Sequence, residues 1–297
     1  MSITLVAVVV ALVLGHVAPA MVTSARRYTW YGQWLQWLDT HLGEGGFWRG
    51  RYGIVVALVP VLLLVALLQW ALHAPLLGLL GLAFGIVALV YAWGPRDLDV
   101  DVEAIIDAHD PSTRREAIAR LWPESTGIAA DGPALVEAVF RNALRRWFGV
   151  LFWFLLLGPV GALLYRLVAL AAEGEFARLL PHDNAIGARK LHALLDWPVA
   201  QLMTLAMALV GNFDPVFNAW REARGGELQL DSGFLGAAAR ASVRCELAEE
   251  AEEYAEEGMV QAMRELPELR DAMSLVWRIL LLWLAILAVF VIGGWVS

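Results

Sequence analysis

The sequence predicts an all-α, polytopic helical membrane protein, with six membrane helices (four strong, two weaker) and polar helical loops. Three observations predict it. Of 297 residues, 59% are hydrophobic and 18% are charged, against about 25% charge in an ordinary soluble domain. The apolar residues gather in long blocks instead of being spread evenly. Those blocks have the length, roughly 20 helical residues, that crosses a bilayer core of about 30 Å. This pattern excludes a soluble enzyme, a disordered scaffold and a secreted disulfide protein. Cys245 is the only cysteine, so no internal disulfide can form.

The first block, Ser2–Ala20, is one of the two weaker ones. It reads as a retained helix because no Lys or Arg precedes Arg26, although Ala18-Pro19-Ala20 has the small residues of a cleavage site. A membrane-surface helix is the other alternative. Gly53–Leu72 is strong, with Gln69 as its one strongly polar member, and Ala74–Trp93 carries no charge. Only the region of His73 and Pro75 separates them, which predicts a tight helical hairpin. Trp147–Leu170 is expected to be a third strong span, uncharged until Arg166, whose long side chain can reach the headgroups. The second weaker block, Leu194–Phe213, has Asp196, Pro198 and Gln201 at its start and reads as a span or as a re-entrant helix. Leu275–Trp295 closes the set.

With six spans, the segments 21–52, 94–146 and 214–274 share one side and hold 17 of the 22 basic residues. That side is then cytoplasmic. Residues 1–297 read as a single integral membrane domain carrying a polar helical loop at 94–133 and an acidic helical loop at 214–274. In the first loop, short helices are expected near Val102–Ala108 and Pro111–Arg120, with Asp110 capping and Pro111 at the first helical position. Asp107, His109 and Asp110 read as parts of that cap and not as metal ligands. The second loop holds 14 acidic and 6 basic residues. Its Glu-rich run from Glu246 to Glu257 reads as a solvated helix. Its net acidity excludes nucleic acid as a partner.

The candidate ligand-binding residues fall in two groups. From Pro133 a helix carries Glu137, Arg141, Asn142, Arg145 and Arg146 toward the third strong block. Glu137 and Arg141 are an i, i+4 pair. The group reads as topology anchoring or as an anion-binding lip beside a carboxylate. The second group is Tyr165, Arg166, Arg189, His192 and Asp196. Arg189, His192 and Asp196 are spaced to share a helix face, and an Asp at a membrane entrance must be paired or wetted. In the six-span topology the two groups lie on opposite sides. No Walker loop, GxSxG elbow, HExxH or CxxC is present, and no cofactor is assigned.

Two stretches carry a family resemblance. They are Phe140-Arg141-Asn142-Ala143-Leu144-Arg145-Arg146-Trp147-Phe148, continued through Gly158-Pro159-Val160-Gly161 to Tyr165-Arg166-Leu167, and Arg189–Leu202 followed by Leu209-Val210-Gly211-Asn212-Phe213. They resemble the AmpE family of bacterial inner-membrane proteins. That resemblance implies a multi-pass sensor or signalling protein linked to cell-wall recycling and β-lactamase induction. It also implies a muropeptide or nucleotide-like ligand and a protein partner in cell-wall recycling. The chain is similar, too, to the CobD and CbiB cobalamin-biosynthesis membrane proteins of the same superfamily. Their resemblance implies the alternative, a membrane-embedded ligand-handling enzyme related to corrinoid amide synthases. These join an aminopropanol unit to cobyric acid in an ATP-dependent condensation. Glu137, Asn142, Phe152-Trp153, Gly158–Gly161 and Tyr165-Arg166 look like counterparts of their central motif. The chain departs from it where Arg145 and Arg146 replace an Asp, and where Leu167-Val168-Ala169-Leu170 replaces an Asn-x-Leu-Asp run. Gly15-His16 also stands where an acidic residue is usual.

Overall fold

A computed structural model describes residues 6–11, 28–42, 46–72, 78–94, 97–122, 131–226, 231–256 and 266–293. Every described regular element is helical. Residues 6–11 are helical, and the rest of the first apolar block lies outside the described residues, as do His73, Pro75 and Trp295. In chain order come α1 (Thr29–His41), α2 (Ile54–Ala71), α3 (Gly78–Ala92), α4 (Leu98–Ile106), α5 (Pro111–Leu121) and α6 (Gly132–Ala143). A π turn over Leu144–Phe148 leads into α7 (Gly149–Leu157). Then follow α8 (Pro159–Ala172), α9 (His182–Val210), α10 (Phe213–Glu222), α11 (Gly233–Glu256) and α12 (Pro267–Ile292).

Among the described residues three helices are long and apolar enough to cross a membrane: α2, α9 and α12. Two shorter apolar helices accompany them, Leu79–Ala92 and Pro159–Ala172. The protein is therefore an all-α polytopic membrane protein; of the six expected spans, the described residues show three long helices and two shorter ones, the first block lying largely outside them. Only 22% of α2 and 28% of the most apolar 18-residue stretch of α12 is buried within the protein. Leu63, Leu64 and Leu67 of α2 and Leu281 and Val289 of α12 stand exposed. Apolar surface of this extent is at home against lipid and costly against water.

The largest departure from the sequence reading is the block Trp147–Leu170. It is not one span but a helical hairpin. Gly158 ends α7 with φ 68 and ψ −150, a conformation open to glycine, and Pro159 starts α8 without needing an amide partner. Gly161 then lies against the Trp153 carbonyl, and Gly149 against Tyr165. Contacts pairing 161 with 153 and 165 with 149 are those of antiparallel helices. With nine residues, α7 is about 13 Å long, far short of the bilayer core.

A turn within apolar surroundings must find partners for its backbone. Gln69 of α2 supplies them. Its Nε2 donates to the Leu157 carbonyl at 3.4 Å, and its Oε1 accepts from the Val160 amide at 3.3 Å.

The chain divides into two compact units, 1–95 with 147–196 and 290–297, and 96–146 with 197–289. In the first, α8 is the central element and packs against α2, α3 and α7. Tyr31, Leu35, Trp48, Ile54, Leu89 and Phe148 are fully buried there. In the second, α11 packs against α6 and α10, and α4 packs against α5 and α6. Asp110 accepts from the Thr113 amide at the start of α5, with Pro111 at its first position. At the other unit-two surface, Arg278 holds Glu246 with two hydrogen bonds of 3.0 Å, so the acidic helix is tied to α12 and not wholly solvated.

Candidate functional site

The first unit contains a buried polar cluster on α8 and α9. The α9 helix begins at His182, twelve residues ahead of the block Leu194–Phe213 read from the sequence. This places His192 and Asp196 one turn apart on a continuous helix, 3% exposed each. The hairpin brings in Tyr165, which is fully buried. Its hydroxyl donates to Asp196 Oδ1 at 2.6 Å. His192 Nε2 stands 3.6 Å from Asp196 Oδ2, close enough to ion-pair when the imidazole is protonated. The Tyr165 and His192 rings are 5.7 Å apart. A carboxylate this deep is tolerated because the Tyr165 hydroxyl donates it a charge-assisted hydrogen bond and His192 stands at ion-pair distance.

Two features shape the cluster. A Cβ at Gly149 would stand 2.1 Å from Tyr165 Cζ, so only glycine lets the phenol lie across α7. Trp153 Nε1 donates to the Leu195 carbonyl at 3.2 Å. This bond falls in the turn of α9 ahead of Pro198, where proline disrupts the helical ladder.

Arg166 and Arg189 belong to this cluster only in sequence. Arg166 is buried, and its Nε donates to the Ala92 carbonyl at 2.6 Å, capping the end of α3. A cation there also suits the helix dipole. Arg189 is exposed, unlike His192 and Asp196.

The second unit holds the other expected group. Glu137 accepts from Arg141 at 2.9 Å and also pairs with Arg240 of α11. Arg145 is partly exposed on the turn that follows α6. Asn142 donates to the backbone carbonyls of Leu121 at 2.8 Å and Ala138 at 2.9 Å, which joins α5 to α6. Arg146 donates to Asp101 at 2.6 Å, and Asp101 is 2% exposed.

Sequence reasoning missed Arg240 as a partner of Glu137, and nothing in its neighbourhood signals the pairing. Asp101 had a readable signal. It lies on the same helical stripe as Leu98, Val102 and Ile105, all buried. An acid on an apolar stripe requires a cationic partner.

Comparison with known proteins bears on both units. Residues 4–279 match the family described as CobD/Cbib protein. The chain belongs to the CobD/Cbib family. Two relatives are each named cobalamin biosynthesis protein CobD. The one from Stutzerimonas stutzeri (strain A1501) is 29% identical over 200 residues, 64% of this chain and 65% of that protein. The one from Chromobacterium violaceum is 29% identical over 186 residues, 60% of this chain and 59% of that protein. The chain thus covers under two thirds of each relative's own length. No solved structure matches it.

As a CobD/Cbib-family protein, the chain is a multi-pass protein of the bacterial inner membrane. The membership corrects the expected role as a sensor in cell-wall recycling and β-lactamase induction. Both stretches that suggested that role, 140–167 and 189–213, lie inside the matched residues. The muropeptide ligand and the cell-wall partner rested on that resemblance alone, and the CobD/Cbib match lends them no support.

Proposed function

We propose that this protein is a membrane-embedded ligand-handling enzyme related to the corrinoid amide synthases. The observation that carries the reading is the CobD/Cbib match over residues 4–279. The departures at Arg145-Arg146 and Leu167–Leu170 remove carboxylates from the related pattern. The proposal nevertheless takes cobyric acid and aminopropanol, the pair that the related synthases join, as this chain's acid and amine.

Amide condensation joins an activated acid to an amine. The amine arrives as an ammonium ion and must lose a proton before its lone pair attacks. In this reading Asp196 receives the ammonium group. Tyr165 fixes the carboxylate through its 2.6 Å hydrogen bond, and His192 is the neighbouring group able to carry a proton. In the second unit, Arg141 and Arg240 together outnumber Glu137, which suits an anion such as a carboxylate or the phosphates of a nucleotide-like co-substrate. Arg166 and Asn142 act on structure, through the backbone carbonyls they hold. Arg189 contributes at an exposed position.

Titrating cobyric acid into the protein in nanodiscs, followed by the visible absorbance of the corrin ring, tests the reading. Saturable binding supports it. A folded protein that leaves the spectrum unchanged at all concentrations overturns it.

A further inference from the structure

The second unit contains a groove that the chemistry above does not use. It lies between the C-terminal half of α9 and α10, with a volume of about 340 Å³. Its walls are Leu202, Leu205 and Ala208 on α9 and Phe213, Val216 and Phe217 on α10, with Trp220 at one end. Phe213 and Phe217 stack at 5.7 Å, and Phe217 and Trp220 at 5.6 Å. The end is fixed by polar contacts: Trp220 Nε1 donates to Gln201 Oε1 at 2.9 Å, and Gln201 Nε2 donates to the Gly225 carbonyl.

The occupant follows from what adjoins the groove. Leu202, Leu205 and Leu209 lie three and four residues apart on α9 and are 41%, 54% and 63% exposed. They form the lipid-facing stripe of a helix long enough to cross the bilayer. Leu202 and Leu205 also line the groove, so it opens onto that stripe. The partition of residues on α10 agrees. Phe213, Val216, Phe217 and Trp220 make one face at i, i+3, i+4 and i+7, while Asp214, Asn218, Arg221 and Glu222 make the other. Such a helix lies in the plane of the membrane interface, with its aromatic face toward the acyl chains. We propose that the groove binds one acyl chain of a bilayer phospholipid, beneath an interfacial α10.

The test uses nanodiscs of phosphatidylethanolamine and phosphatidylglycerol, doped with phosphatidylethanolamine carrying a diazirine midway along one acyl chain. After photolysis, labelled residues are located by mass spectrometry. The expected result is labelling of 201–220 several-fold above the exposed stripes of α2 and α12. Ala208→Phe, which fills the groove, should remove that excess, and Leu281→Phe on α12 should leave it. Even labelling of α2, α9 and α12 in the wild-type protein overturns the proposal, whatever the variants do. So does an excess that survives Ala208→Phe, or an unlabelled groove from which the purified protein releases a non-lipid molecule.

Discussion

Tyr165 donates a 2.6 Å hydrogen bond to Asp196 across 31 positions of the chain, and both side chains are shut away from solvent. Removing the hydroxyl leaves a buried carboxylate short of a donor. Tyr165→Phe should therefore cost about 1–3 kcal/mol of stability, read as a lower thermal midpoint in nanodiscs. Tyr165→Phe combined with Asp196→Asn should cost less than the two single changes added together. Additive losses would show that the two groups do not interact.

The hairpin turn is the second place where one contact supports much of the architecture. Gly158→Ala forces a side chain into a glycine-only backbone region, at about 1–3 kcal/mol, and brings its Cβ to 2.9 Å from Gln69 Nε2. Gln69→Leu removes both partners of the turn and should cost about 1–3 kcal/mol. Protease sensitivity around residue 158 is the direct readout. Wild-type resistance in both variants would count against the clamp.

Asp101 and Arg146 form a pair with the carboxylate almost wholly buried. Asp101→Leu takes this carboxylate away from a mostly buried guanidinium, and the expected loss is about 3–5 kcal/mol. Asp101→Leu with Arg146→Met removes both charges and should recover most of that loss. Thermal unfolding of the three proteins checks this, and a double variant as unstable as Asp101→Leu would contradict it.

Asp110 is exposed, and the Ser112 hydroxyl, followed by the Thr113 amide, holds its carboxyl below the usual aspartate range. A lowered acid stabilises the fold when ionised. Its contribution is fully present above the ordinary value of about 3.9 and disappears as the pH falls through the lower folded value. Amide protection at the start of α5, taken relative to the intrinsic exchange rate at each pH, should fall on acidification in the wild-type protein. In Asp110→Asn it should lack this pH step, and an identical pH profile in the two proteins would remove the cap from the account.

Much of the helical plan was legible in the sequence, because length and uncharged composition report directly on bilayer crossing. The block from Trp147 to Leu170 misled for the same reason. Hydropathy does not register a reversal at Gly158-Pro159, since two short apolar helices joined by a Gly-Pro turn are as apolar as one span. Gln69 stood out as a polar residue in an apolar helix, but its partners at 157 and 160 required the fold. Likewise the i, i+4 spacing joined His192 to Asp196 without revealing that Tyr165 would meet them. Arg189 shared the spacing and still faces outward, because three residues give only an approximate helical register. The family-level misreading had another source: both stretches that suggested it lie within residues 4–279, which match the CobD/Cbib family.

The most direct test of the central claim is turnover with Asp196 intact and altered. The protein in nanodiscs is given cobyric acid, aminopropanol and ATP, and the products are weighed by mass spectrometry. The account predicts a product with the mass of acid plus amine less one water. Asp196→Asn should cut its formation about tenfold or more while the variant still folds. A folded wild-type protein that forms no such product contradicts the proposed reaction class, and an Asp196→Asn variant as active as wild type contradicts the role given to Asp196.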